Sequence, residues 1–364
     1  MFLAAVVLGT ATPGGGQEPP PPVAADAPSY DPVAARTAIT QLASELEMNF
    51  VFPDVAKRYA AVLRTTLAAG GYDAIRDRAA LAKAVTADLQ AVAPDGHLAM
   101  HARDGRRPEP RPDGEAPGRA DYPPLMEQAG MIAPGIAYVR FNAFMGDPQV
   151  LRDLTAFLDA TAGARTLIID ARTHRGGGLE EMDILFPRLF ARPVTVMTMD
   201  MRAEVARRQG GLPFGSLVPV DAPKEIHRAE HRVVPIAPAG PWAKATVYVL
   251  TSGTTASAAE HLTMALKASG RATIVGDTTA GAGHFGGMVP LPGGYSAFVP
   301  SGRSYFPRGD GWEGTGIAPD VAVAPERALY TVLTREGVAP AEAERLSDTH
   351  KPSGPMQRRR PLRS

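Results

Sequence analysis

Thr246–Glu260 reads TVYVLTSGTTASAAE, and the fold is decided by how this passage is parsed. Val247 to Leu250 is a short apolar run, which reads as a buried strand. Small hydroxyl and glycine residues follow (Thr251, Ser252, Gly253, Thr254, Thr255). Ser257-Ala258-Ala259-Glu260 then opens an apolar helical pattern through Leu262, Ala265 and Leu266 to Gly270. A strand, a tight small-residue turn and a helix start suit a serine nucleophile. The turn exposes the hydroxyl, and the unpaired N–H groups and dipole of the helix favour nearby negative charge. The plainer alternative is a serine that caps an ordinary strand–helix junction.

The same alternation extends outward. Ile136 to Phe141 reads as a strand, Pro148 to Ala160 as a helix and Thr166 to Asp170 (TLIID) as a strand ending in a carboxylate. A helix over Glu180 to Phe190 and a strand over Val194 to Met199 come next, then a looser stretch with Pro223, Pro235 and Pro238. Beyond the opening passage lie Thr273 to Val275, the glycine-rich Gly276 to Gly287, and short strands at Met288 to Leu291 and Tyr295 to Val299. Strands alternating with helices imply an α/β core, a mostly parallel sheet covered on both faces. Ligands of such sheets lie beyond the carboxyl ends of the strands. Both TLIID and TVYVL end there, each followed by small residues, so a site is expected between them.

Upstream the periodicity is helical. Asp31-Pro32 caps a pattern from Val33 to Met48, a second helix runs from Pro53-Asp54 to Gly70-Gly71, and a third from Arg78 to Val92 before Pro94. Together they predict a small bundle. The expected organisation is a leader and Pro-rich tether over 1–30, a helical domain over 31–102, an arm over 103–130, the α/β core over 131–338 and a basic tail over 339–364. The tail holds a helix-prone stretch, Ala341 to Leu346, and ends near Arg358-Arg359-Arg360.

At 364 residues the chain can bury a large core. Lys+Arg and Asp+Glu both number 38, so no basic excess argues for nucleic acid. The absence of cysteine excludes disulfides, thiolate metal sites and a cysteine nucleophile. Phe2 to Leu8 is short and apolar, with small residues Gly9 to Thr12 after it but no basic residue before it. It reads as an export leader, placing the protein in the periplasm or outside the cell. No later run is long enough to span a bilayer.

Three elements can complete a hydrolytic site around Ser257. Gly176 and Gly177, in the Arg175–Gly178 turn after TLIID, offer backbone N–H groups to an oxyanion, and Ala258 N–H offers another. A base can come from His97, in the turn after Pro94. His261, one helical turn after Ser257, and His284, in the glycine-rich loop, are the other candidates, with His261 ranked lower. A carboxylate to orient the base is available in Glu313, within WEGTG. Against each stands the ordinary use of such residues as turn glycines, packed imidazoles and solvated charges. No metal constellation or nucleotide loop is evident: HExxH spacing, the Walker lysine and GxGxxG are all missing.

LIIDARTHRGG (Leu167 to Gly177), TSGTTASAAE (Thr251 to Glu260), GRATIVGDTTAGAGH (Gly270 to His284) and EGTGIAPDV (Glu313 to Val321) together resemble blocks of the tail-specific protease superfamily. These serine peptidases include the C-terminal-processing proteases, tricorn core and interphotoreceptor retinoid-binding protein. FPDVAKRYAAVLRTTLAAGGYD (Phe52 to Asp73) followed by DGHL (Asp95 to Leu98) resembles the helical region of the retinoid-binding branch. The resemblance implies a crotonase-like α/β core under a helical cap, no cofactor, and a peptide or protein substrate. It places the nucleophile on Ser257. The lysine base of the C-terminal-processing branch is Ala282 here, so the tricorn-like assignment of His97 as base and Glu313 as its partner applies instead. The serine preceding that histidine in tricorn is Gly96, and the family's usual asparagine before the glycine turn is His174. Only a short arm separates cap from core, too little for a PDZ domain. The expected function is an exported serine endopeptidase. The alternatives are a non-catalytic carrier of hydrophobic ligands or peptides on the same fold and, by fold analogy only, an acyl-CoA enzyme.

Overall fold

The computed structural model describes residues 30–102, 123–212, 214–307, 309 and 311–357. The leader with its tether up to residue 29, the greater part of the arm, and Arg358-Arg359-Arg360 lie outside the described residues.

Three helices come first: α1 (Pro32–Asn49), α2 (Pro53–Ala68) and α3 (Arg78–Val92). Asp31 Oδ1 accepts from Val33 N at 2.8 Å, and Asp77 Oδ1 accepts from Ala80 N at 2.6 Å, so two of the three starts carry a side-chain cap. Proline opens α1 and α2, where a missing N–H costs nothing. Their apolar stripes bury Ile39, Leu42, Leu46, Tyr59, Leu63, Leu81, Val85 and Leu89 in one cluster. Leu98, Met100, Tyr295 and Val299 belong to that cluster too, so the helical cap packs on the core through a shared apolar interior.

The parallel sheet comprises β2 (Met126–Ala133), β3 (Ile136–Phe141), β4 (Thr166–Asp170), β8 (Thr246–Thr251), β9 (Thr273–Gly276) and β12 (Val321–Ala322). Its order is β12-β9-β8-β4-β3-β2, all parallel except the β2–β3 pair. Side chains alternate between its faces with period two. Val139, Leu167, Ile169, Val247 and Val249 pack toward α4 (Pro148–Ala160), α5 (Glu180–Leu189) and α7 (Ala258–Ala268). Tyr138, Ile168, Tyr248 and Leu250 pack toward α8 (Pro325–Arg335) and α9 (Pro340–Thr349). Burial on both faces is why these strands read as continuous apolar runs.

A second sheet is wholly antiparallel. It contains β1 (Ala99–Ala102), β5 (Val194–Arg202), β6 (Leu217–Val220), β7 (Ile226–Val233) and β11 (Tyr295–Tyr305) in the order β1-β11-β5-β7-β6, with β10 (His284–Leu291) also on β11. The short helix α6 (Ala203–Gln209) follows β5. Strand β1, the end of the cap, thus joins the core by main-chain pairing.

Three expectations need correction. The arm read over 103–130 gives way to strand β2 from Met126, and the helix expected over Ala341 to Leu346 forms as α9, whose Ala343 and Leu346 are buried in the core rather than in a separate tail. The stretch between Pro223 and Pro235 carries β7, a half-buried strand whose Ala229, His231 and Val233 face inward. Its outward Arg228 pairs with Asp200 of β5 at 2.6 Å, so charges that read as loop are cross-strand ion pairs.

Asp170, at the end of β4, is fully buried and accepts from Tyr138 Oη at 2.6 Å and from Arg172 Nε and Nη2 at 2.9 and 2.7 Å. Burial opposes its charge, and the Arg172 and Arg140 guanidiniums still hold its carboxyl below the usual range. Replacing Asp170 by Asn leaves Arg172 buried without its counter-charge. The expected loss is about 3–5 kcal/mol in urea unfolding, whereas a loss under about 1 kcal/mol would contradict the buried pair.

Candidate active site

Strands β4 and β8 run side by side, with Asp170 opposite Leu250, so their following turns meet. The small hydroxyl residues after β8 stitch those turns together. Ser252 Oγ donates to Arg172 O at 2.5 Å, Thr255 Oγ1 to Ala171 O at 2.8 Å, and Ala256 N to His174 O at 3.0 Å. The turn ends at Ser257, with φ 57° and ψ −118°, directly before α7. A serine held there stores about 1–3 kcal/mol of backbone strain, which neighbouring structure must over-determine.

Glu260, in the first turn of α7, supplies that constraint. Its sealed carboxylate accepts from Ser257 N at 2.9 Å, Gly281 N at 2.7 Å, Ala282 N at 2.8 Å and Thr279 Oγ1 at 2.5 Å. Burial pushes its carboxyl upward against the pull of these donors. The bonds tie the nucleophile turn to the glycine-rich loop.

The turn after β4 closes from the other side. Gly176 and Gly177 have φ of 114° and 131°. A Cβ on Gly176 would stand 2.7 Å from Ser257 Cβ, and one on Gly177 would collide with Phe144 O, so only glycine fits either place. His174 is fully buried, and its Nδ1 accepts the Gly176 N–H at 3.0 Å. Its ring meets that of Phe144 edge-on at 4.2 Å. Gly176 N–H, expected as an oxyanion donor, is therefore occupied by His174. Gly177 N–H has no acceptor among the described residues, and Ala258 N–H, the first of α7, has no intrahelical one. These two remain available for an oxyanion.

Ser257 and Ala258 lie on the wall of a cavity of about 260 Å³. Leu179, Met199, Leu212, Phe214 and Trp312 make much of that wall apolar, and His261, His284 and Ser304 also border it. His261 is not free: its Nε2 bonds to Nδ1 of buried His231 at 3.0 Å. Burial, then His231, pulls His261 well below the ordinary histidine value.

The cap meets this cavity through Asp95, Gly96 and His97. Gly96 N donates to Glu313 Oε1 at 2.5 Å, and Glu313 Oε2 accepts from Gly283 N and His284 N at 2.7 and 2.8 Å. His97 is one residue from that contact, but its ring makes no bond to Glu313. It stacks on Phe298 with centroids 5.0 Å apart, and its Nδ1 is buried without a partner. Burial pulls His97 below its ordinary value, against the pull of Asp95. Burial and the Asp95 charge push Glu313 up. His284 instead bonds through Nδ1 to Asp95 Oδ2 at 2.7 Å. Burial raises Asp95, but the bond to His284 and amides of His97 and Leu98 outweigh it and hold the carboxyl below its usual range.

Asp95, His284 and Glu313 each bring one ligand-type atom within 4.8 Å of the others. Asp95 Oδ2 already meets His284 Nδ1, and both Glu313 oxygens already accept main-chain N–H groups, so the trio works as a hydrogen-bond network. The roles of Asp95, Glu260 and His231 are not evident from local sequence. Asp95 stood in the quoted DGHL and Glu260 in the quoted SAAE, but neither motif says which distant group its carboxylate meets.

The profile described as peptidase family S41 matches residues 135–323. The one described as the N-terminal domain of peptidase S41 in eukaryotic IRBP matches residues 33–132. A carboxyl-terminal-processing protease of Picosynechococcus sp. is 27% identical over 203 residues, 55% of this chain and 42% of that protein. The chain thus spans less than half the length of this relative. A solved structure of a candidate peptidase from Parabacteroides merdae superposes with a TM-score of 0.52 at 18% identity, over 80% of this chain and 90% of that one. That likeness is one of fold.

The buried imidazoles make a prediction. His174 is pulled down to about 3 by burial, so it stays neutral in the fold while an unfolded chain takes up its proton below about pH 6.5. Its contribution to stability is complete above pH 6.5 and is lost as pH falls toward 3. From pH 7 to 5 the stability of the wild type relative to a His174→Asn variant should drop by about 2 kcal/mol in urea unfolding. A pH-independent difference would show that His174 takes up its proton in the fold as readily as in the unfolded chain.

Proposed function

The chain belongs to peptidase family S41, and on that premise we propose that it is a serine endopeptidase with Ser257 as nucleophile. The observation that carries this reading is Ser257 itself, a non-glycine residue at positive φ on a cavity wall beside two unoccupied amides. In the proposed reaction Ser257 Oγ attacks a peptide carbonyl while a rim histidine takes its proton. Gly177 and Ala258 N–H groups hold the oxyanion, a contribution of roughly 3–4 kcal/mol to barrier lowering. The resemblance gives the base role to His97 with Glu313 as partner, and the geometry also offers His284. The core around β3, β4, β8 and β9 is on this reading crotonase-like and the three helices its cap. Among the described residues no helix is long and apolar enough to cross a membrane. The leader-like start supports export.

Two measurements test the reading. A fluorophosphonate probe should label Ser257 in folded protein, and Ser257→Ala should abolish both labelling and casein cleavage. An unlabelled Ser257 together with saturable fatty-acid binding would favour the carrier instead.

The apolar cavity beside Ser257 also sets a preference. Peptides presenting Leu or Phe before the cleaved bond should exceed those presenting Asp by about 10-fold or more in kcat/KM. Equal rates would place the substrate side chain elsewhere.

A further inference from the structure

We propose that His284, held by Asp95 of the cap, is the base that takes the Ser257 proton, in place of His97. The assignment rests on the serine-peptidase reading and adds to it the proton path. His284 borders the same cavity as Ser257, whereas His97 is absent from that lining. The His284 ring is anchored as a catalytic imidazole must be. Nδ1 faces Asp95 Oδ2 at 2.7 Å, and Nε2 has no partner among the described residues. Asp95 is itself fixed, since its Oδ1 accepts from His97 N and Leu98 N at 2.9 Å each, which leaves Oδ2 for the histidine. Phe52 and Phe50 of the cap press on the ring edge-to-face, with centroids at 5.5 and 6.3 Å. Glu313 Oε2, 3.7 Å from Nδ1, places a second carboxylate beside the imidazolium that would form.

His97 lacks this support. Its Nδ1 is sealed with no acceptor, so no carboxylate selects its tautomer. Glu313, which the resemblance pairs with it, spends its oxygens on the amides of Gly96, Gly283 and His284. His97 instead contributes its main-chain N–H to Asp95 and its ring to the packing on Phe298.

The proton path balances. With Nδ1–H donated to ionised Asp95, Nε2 carries the lone pair that accepts the Ser257 hydroxyl proton as Oγ bonds to the substrate carbonyl carbon. The imidazolium returns that proton to the leaving amine as the C–N bond breaks. A water then gives its proton to Nε2, attacks the acyl-enzyme and releases the acid, and Nε2–H restores the serine hydroxyl. Asp95 keeps its charge throughout and acts as a positioning residue.

The test measures kcat and KM of the full chain on a fluorogenic peptide bearing Leu or Phe before the cleaved bond. His284→Ala, His97→Ala, Asp95→Asn and Ser257→Ala are compared after thermal melts confirm folding, with His284→Gln replacing the alanine variant if that fails to fold. His284→Ala should lose about 100-fold or more in kcat with KM little changed. Added imidazole should restore a measurable part of that rate, which a merely structural histidine would not show. His97→Ala should lose far less and gain nothing from imidazole, and Asp95→Asn should lower kcat with no imidazole effect. If His97→Ala carries the kcat loss and the imidazole rescue, the assignment is overturned while the peptidase reading stands. If Ser257→Ala keeps its activity, the peptidase reading itself fails.

Discussion

The site depends on one buried carboxylate. Glu260 gathers four donors, from Ser257, Thr279, Gly281 and Ala282, inside a fully buried pocket at the start of α7. A desolvated carboxylate is costly unless its lone pairs are filled, and here filling them requires the glycine-rich loop to fold onto the helix start. The same bonds hold Ser257 at a backbone angle that a serine adopts only under constraint. Position of the nucleophile and position of the loop leading into His284 are thus a single structural decision. The glycine turn after β4 completes it, because Gly176 touches Ser257 only for want of a Cβ.

A second decision joins cap to core. The core offers Glu313 and His284, and the cap offers Gly96 N–H and the Asp95 carboxylate. Neither half holds the imidazole network alone. The apolar interface of Leu98 and Met100 with Tyr295 and Val299, together with the pairing of β1 on β11, sets the halves in register for these polar contacts. Packing supplies the force and hydrogen bonds supply the alignment, a division in keeping with the small net worth of each bond.

Much of the fold was legible in the sequence for a physical reason. Strands buried on both faces, such as TLIID and TVYVL, must be apolar throughout, and helices with a capping Asp or leading Pro announce their starts. Strand β7 hid because its outward residues are charged and its neighbours are prolines. Strand β2 hid because Gln128 at φ 54° and two register shifts break its alternation. At the site, Ser257 and the paired glycines could be read from local turn chemistry. The link between Asp95 and His284 could not, since it spans 189 positions and exists only once cap and core have packed. His174 stands out in the sequence as a departure, but its bond to Gly176 N–H exists only once the turn after β4 has folded.

The most direct measurement is a crystal structure of the full chain carrying a phosphonate on Ser257. The expected adduct has its phosphoryl oxygen between Gly177 N–H and Ala258 N–H, with His284 Nε2 within hydrogen-bonding distance of the Ser257 oxygen and Asp95 still on Nδ1. An adduct whose serine oxygen faces His97, with His284 turned out of the cavity, would contradict the account.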